Sequence, residues 1–138
     1  MEELIEENEA IAEVRSSTLL ATDFVELSPG ERAKWGTALE DRTTWPAIGA
    51  PAVCLLDTGV NRGHPLLSSV LKQVDLHTLN PQWGTNDHHG HGTEMAGLAT
   101  YGDLAPVLGA SGPIVLSHRL ESVKLLPPDL VRRTGRDG

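Results

Sequence analysis

The hydrophobic positions of this chain fall into short blocks divided by polar, glycine-rich and proline-rich stretches. Over residues 1 to about 25, Leu4, Ile5, Ile11, Ala12, Val14, Leu19 and Leu20 recur loosely at intervals of three and four, which predicts a helix. Acidic residues crowd its start, where they suit the positive end of a helix dipole. A second helix is signalled at Ser28, a good N-cap, with Pro29 at the first helical position and Glu31 completing a capping box. Its Ala33, Trp35, Ala38 and Leu39 are expected to cover one face. Thr43 to Pro51, with two prolines and a glycine, reads as a linker.

The continuous apolar run Ala52 to Leu56 ends at Asp57-Thr58-Gly59, the pattern of a strand buried on both faces of a helix-covered parallel sheet. His64-Pro65-Leu66-Leu67 opens another short apolar segment, and Val70 to Leu76 fits a second strand or a helix. Asn80 to Asp87 is loop by composition. His91 to Tyr101 predicts a helix, with Gly90 and Gly92 permitting close backbone approach at its start and Gly102-Asp103 ending it. Leu104 to Pro113 reads as loop. Pro113 to Leu116 and Leu120 to Leu126 are strand candidates, the second stopped by Pro127-Pro128.

Strand, Asp at its carboxyl end, helix, strand: this order is α/β logic, with a ligand expected at the carboxyl ends of the strands. The expected fold is a parallel sheet flanked by helices. Only two or three of its strands can be counted, so it reads as truncated, with unpaired edges and an uncovered apolar face. Three regions follow: a helical extension over 1–45, the sheet-bearing unit over 46–128, and a tail over 129–138 that carries three Arg and two Gly and belongs to no packed core.

Length allows one modest domain in 138 residues. A formal charge of −8 argues against nucleic acid and anionic membrane as partners, although six of the acidic residues lie within the first thirteen positions. Cys54, the single cysteine, forms no internal disulfide and suits a reducing cytosol. Inside an apolar run it is expected to be a small buried hydrophobe rather than a reactive thiol. The acidic N-terminus does not resemble a secretory signal, and no apolar stretch reaches the roughly 18 residues of a membrane span. A cytoplasmic address follows by default.

The candidate chemistry lies in Asp57 and His91, 34 positions apart. A serine hydroxyl becomes a useful nucleophile when an imidazole removes its proton, and the imidazole needs a carboxylate to fix its tautomer. An Asp at a strand end and a His at a helix start suit those roles. The helix N-terminus should disfavour the imidazolium and keep His91 available as a base. Taken singly, Asp57 reads as a turn former and His91 as a helix-cap residue. Two other chemistries compete. Leu55-Leu56-Asp57-Thr58-Gly59 also has the form of an aspartic-peptidase motif, which in a short chain would act as a retropepsin-like dimer with two carboxylates sharing a proton. Val107-Leu108-Gly109-Ala110 imitates that fold's later segment, yet helical signals flank Asp57 and the reading leaves Gly90 to Gly97 unexplained. Asp87, His88, His89 and His91 crowd together, with His89 and His91 at zinc-ligand spacing. No third and fourth ligands stand at a recognisable distance, so Asp87, His88 and His89 read as exposed loop residues and no metal or cofactor is expected. His64 reads as ordering its turn, and His77 and His118 are unassigned.

Asp57-Thr58-Gly59-Val60, with His64-Pro65 beginning seven positions after the Asp, resembles the Asp motif of subtilisin-like serine peptidases. His91-Gly92-Thr93 followed by Ala96-Gly97 is similar to the His motif of that family. Val123-Lys124-Leu125-Leu126 resembles the strand after that helix, whose edge in the family helps hold the substrate peptide. The resemblance covers about Ala52 to Pro127. It implies Asp57 as orienting carboxylate and His91 as general base in endopeptidase hydrolysis through an acyl-enzyme, acting on a peptide or protein substrate.

The chain departs from the family pattern at three kinds of place. Glu94 stands where most members have a second His, and Leu66 where many secreted members have a calcium-ligating Asp. The Gly-Thr-Ser-Met-Ala-type segment that carries the nucleophile is absent: Ser16, Ser17, Ser28, Ser68, Ser69, Ser111, Ser117 and Ser122 all lie in other contexts. The Asn-bearing segment of the oxyanion hole is also absent. The chain is therefore expected to be the N-terminal part of an intracellular-type bacterial member, inactive by itself. The rival expectation is a non-catalytic binding module whose exposed sheet is covered by a protein partner. Family propeptides are generally mixed α/β, so the first 45 residues are expected to be a helical extension packing on the domain, or docking a partner.

Overall fold

A computed structural model describes residues 26–129; the helix expected over 1–25 and all but the first residue of the expected tail lie outside the described residues. In chain order the elements are α1 (Pro29–Asp41), β1 (Thr43–Thr44), β2 (Ala52–Asp57), α2 (Pro65–Ser68), β3 (Leu71–Thr78), a 3-10 turn at Pro81–Trp83, α3 (His91–Tyr101), α4 (Leu104–Gly109), β4 (Ile114–Val115) and β5 (Arg119–Lys124). Every strand pair among the described residues is parallel. β2, β5 and β3 form one sheet in that spatial order, and β1 pairs with β4. This is the α/β arrangement expected from the alternation of apolar runs and helical signals. The register sets Asp57 beside Lys124 and Thr78 on its other side, so the carboxyl ends of all three strands meet at one edge of the sheet.

α1 starts as its sequence dictates. The Glu31 amide donates to Ser28 Oγ at 3.3 Å, and the Ser28 amide donates to the Glu31 carboxylate at 2.9 Å. A cap of this kind is worth about 1 kcal/mol. The helix buries only Leu39, however, and Trp35 remains 37% exposed. The expected apolar face is thus a single anchor, which joins Val60, Leu67, Leu71, Ala96 and Leu120 in the core.

Two segments differ from their sequence reading. Thr43 and Thr44, placed in a linker, form β1 against Ile114 and Val115, with the Ile114 amide donating to Arg42 O and the Leu116 amide to Thr44 O, both at 3.0 Å. Arg42 adds side-chain hydrogen bonds to the Gly112 and Val107 carbonyls. A two-residue strand made by partners some seventy positions away leaves no local pattern to read. Leu104–Gly109, read as loop, is helical because the Asp103 carboxylate accepts from the Ala105 amide at 3.1 Å. Pro106 lies in the first turn, where its missing N–H deprives no carbonyl of a partner.

The sheet is buried on one side. Along β5, Leu120, Ser122 and Lys124 are buried while the alternating Arg119, Glu121 and Val123 are partly exposed. Leu55, Leu76 and Tyr101 pack on the same side, and the Tyr101 hydroxyl donates to Leu66 O at 3.0 Å to tie α3 to α2. β2 contradicts the expectation of burial on both faces. None of its residues is buried, Leu56 is 62% exposed, and Cys54 is an exposed thiol rather than a buried hydrophobe. An apolar run shows what a strand is able to bury, but burial needs a covering layer. Among the described residues the helices supply that layer on one face only, and β2 has β5 as its single strand neighbour. Among the described residues, the uncovered face and free edge expected from the strand count are present. No helix among the described residues is long and apolar enough to cross a membrane.

Candidate active site

The apolar strand β2 delivers Asp57 to the carboxyl edge of the sheet, where the Leu125 amide donates to its carbonyl at 2.8 Å. The chain then turns at Gly59 with φ of +101°, a conformation suited to glycine; a Cβ there would lie 2.5 Å from Thr85 O. The start of α3 comes in against this turn. A Cβ on Gly92 would stand 2.0 Å from Gly59 O, so backbone meets backbone with no room for a side chain. That close approach is what brings the two sequence motifs together.

His91 Nδ1 lies 2.9 Å from both Oδ1 and Oδ2 of Asp57. The Thr58 amide donates to Asp57 Oδ1 at 2.7 Å and fixes the carboxylate from the other side. The Asp57 side chain is 18% exposed and that of His91 60% exposed, so the imidazole presents its other nitrogen to the open side. Burial pushes the Asp57 carboxyl upward, but hydrogen bonds from His91 and Thr58 together outweigh it and hold the group below the usual carboxylate value. His91 is raised above an ordinary imidazole, first by its hydrogen bond to Asp57 and then by the same residue's charge, with smaller contributions from Glu94 and Asp87. The sequence reading expected the helix N-terminus to disfavour the imidazolium; the adjacent Asp57 carboxylate acts in the opposite direction and the ring's value is raised.

Asp87 organises the turn beside this pair, which the sequence reading did not anticipate. Read there as exposed, it is only 6% exposed. Its Oδ1 accepts from Thr58 Oγ1, the His89 amide and the Gly90 amide, each at 2.9 Å. Its Oδ2 accepts from the amide and hydroxyl of Thr93, both at 2.8 Å. Burial acts against its ionised form, yet these bonds bring the carboxyl down to about 2. Asn61 clamps the backbone beneath, accepting from the Asp87 amide at 3.1 Å and donating to Asp87 O at 3.0 Å. Thr58 Oγ1 also accepts from the Gly92 amide at 3.1 Å, completing the link from strand end to helix start. Behind the loop, the fully buried Lys124 donates to Asn86 O at 2.5 Å. Burial lowers its pKa, and the charge of Asp87 opposes that shift.

The remaining histidines stand apart from this arrangement. His88 and His89 are exposed, as read from their loop composition. No group of three or more His, Cys, Asp or Glu among the described residues converges in a way that would hold a metal ion. His64 orders its turn by accepting the Leu66 amide at Nδ1, 3.3 Å away. Leu66, at the position where a calcium-ligating Asp was considered, is buried in the core. His118 bonds to Ala99 O at 2.9 Å.

A carboxylate at a strand end paired with an imidazole at a helix start is an arrangement in which the carboxylate can fix the tautomer and orientation of the ring. The subtilase family model matches residues 49–137, more than half of the chain, and the chain belongs to that family of serine peptidases. No curated protein and no solved structure matches it.

Proposed function

We propose that this chain supplies the orienting carboxylate, Asp57, and the general base, His91, of a subtilisin-type serine endopeptidase, and that the 138-residue polypeptide alone does not cleave peptide bonds. The observation that carries the reading is the placement of His91 Nδ1 at 2.9 Å from both Asp57 oxygens, inside the span that matches the family. In that chemistry Nε2 of the imidazole takes the proton of a serine hydroxyl as its oxygen attacks the peptide carbonyl. Asp57 keeps the proton on Nδ1 and stabilises the imidazolium; Nε2 then protonates the leaving amine, and water hydrolyses the acyl-enzyme. None of the eight serines occupies a nucleophile context, and among the described residues none bonds to His91. Removing the nucleophile alone eliminates nearly all of a triad's contribution.

Incubating the purified chain with an unfolded protein and with peptide amides tests this. The expected result is no cleavage; hydrolysis abolished by His91→Ala would overturn it. The retropepsin-like reading gains no support, since it requires a nearly all-β fold and Asp57 here is bonded to His91 on a parallel α/β sheet. A non-catalytic binding module is the second reading, favoured by exposed Leu56, Val74 at 77% and Leu79 at 67%. A face of that kind suits a protein partner.

A further inference from the structure

We infer that Asp87 is the positioning residue of the Asp57–His91 pair: it caps the helix that His91 opens, fixes the turn that carries the imidazole, and offsets the positive end of that helix. The N-cap of α3 is Gly90, in the left-handed region at φ of +86°, and it has no side chain with which to cap. The first amides of a helix need acceptors from outside it. Asp87 provides them from three positions upstream, taking the Gly90 amide on one oxygen and the Thr93 amide on the other. These amides bracket His91, so the carboxylate holds the backbone on both sides of the ring. Its bond to Thr58 Oγ1 carries the same constraint to the residue next to Asp57. One buried carboxylate thus fixes both members of the pair.

The charge of Asp87 acts as well as its shape. A helix N-terminus carries the equivalent of about half a positive charge, which destabilises an imidazolium at its first position. Asp87 lies at that terminus, almost excluded from solvent, where its field is weakly screened. Asp57 from β2 and Glu94 from the same helix also face the ring. Lys124 from β5 carries the opposite charge behind the Asn86–Asp87 turn, bonded to Asn86 O, and His89, two residues after Asp87, is exposed. With the helix terminus offset, the Asp57 hydrogen bond governs the ring, in keeping with the upward direction found for His91. The inference rests on the Asp57–His91 pair and not on peptide cleavage, so a chain that fails to hydrolyse peptides leaves it standing.

Histidine-ring NMR on the full chain tests it, comparing the His91 titration midpoint in the unaltered protein, Asp87→Asn and Asn61→Ala, with the other five histidines as internal reference. Asp87→Asn removes the charge and replaces one accepting oxygen with a donor, so the bonds to either the Gly90 side or the Thr93 side are lost as well; the His91 midpoint is expected to fall. Asn61→Ala releases the clamp on the Asp87 backbone while keeping the charge, and a smaller fall is expected. A folded Asp87→Asn protein with an unchanged His91 midpoint would overturn the inference. Should that variant not fold, an unchanged midpoint in Asn61→Ala would overturn it equally. Glu94→Gln separates charge from positioning: it is expected to lower the His91 midpoint while leaving the Gly90 and Thr93 amides protected from hydrogen exchange, whereas Asp87→Asn is expected to lower the midpoint and the protection together, and unchanged protection in Asp87→Asn would overturn the inference.

Discussion

Asp57 and Asp87 stand on either side of one helix start and serve it in opposite ways. Asp57 shares its carboxylate with a solvent-exposed imidazole and one amide. Asp87 is buried and accepts five hydrogen bonds from four residues. Asp57 therefore lies at the accessible edge of the sheet, whereas Asp87 is enclosed in the hydrogen bonds of the turn and helix start that carry His91. The difference teaches that two ionised carboxylates can divide the work of one site, Asp57 holding the imidazole that changes its proton and Asp87 holding the backbone that carries it. The carboxyl of Asp87 is held down to about 2.

Asp87→Ala should break the comparison most severely. It leaves the amides of His89, Gly90 and Thr93 without their acceptor and removes the counter-charge to buried Lys124. A loss on the order of 3 to 4 kcal/mol is expected in denaturant unfolding, the size associated with disrupted buried polar networks. Asp57→Ala should leave the unfolding midpoint close to the unaltered value. Equal losses from the two substitutions would erase the distinction between them.

Gly92→Ala comes next, because its Cβ would collide with Gly59 O and backbone must move to admit it. Roughly 2 to 3 kcal/mol of destabilisation is expected, together with loss of the His91–Asp57 hydrogen-bonded ring proton in NMR. Gly49→Ala, with nothing within 4 Å of the added Cβ, is the control and should change stability by under about 0.5 kcal/mol.

Acid unfolding distinguishes the carboxylates more gently. The Asp87 carboxyl falls from 3.8 to about 2 on folding, a difference equivalent to about 2 kcal/mol. A depressed carboxyl stabilises the fold fully above its unfolded value, and that contribution disappears as pH falls through the folded value. Stability should therefore decline from just below pH 4 towards pH 2, and Asp87→Asn should flatten the decline. For the Asp57–His91 pair the window is different. The contribution of Asp57 is present above 3.8 and lost as pH falls; that of His91 is full below 6.5 and lost as pH rises through its raised value. Added salt should weaken the pair's contribution more than that of Asp87.

The parts legible in the sequence were those governed by local chemistry. Ser28, Pro29 and Glu31 marked the start of α1, Gly102 the end of α3, and Asp57-Thr58-Gly59 the end of β2. The pairing of Asp57 with His91 was legible through the resemblance of their two motifs to those of the subtilases; taken singly, the two residues read as a turn former and a helix cap. Burial of Cys54 and Leu56 was misread because it depends on a layer that the strand's own residues do not encode. Thr43–Thr44 went unseen because its partner strand is remote. Asp87 was hidden by its polar neighbours, although one signal was available: an Asp followed by amides two and three positions on, ahead of a Gly N-cap that cannot cap itself.

The claim that Asp57 and His91 act as one acid–base unit is tested most directly by the His91 ring titration in the unaltered chain and in Asp57→Asn. The account expects a midpoint above that of an ordinary imidazole in the first and a clear fall in the second, with the helix otherwise intact. The same midpoint in both proteins would contradict it.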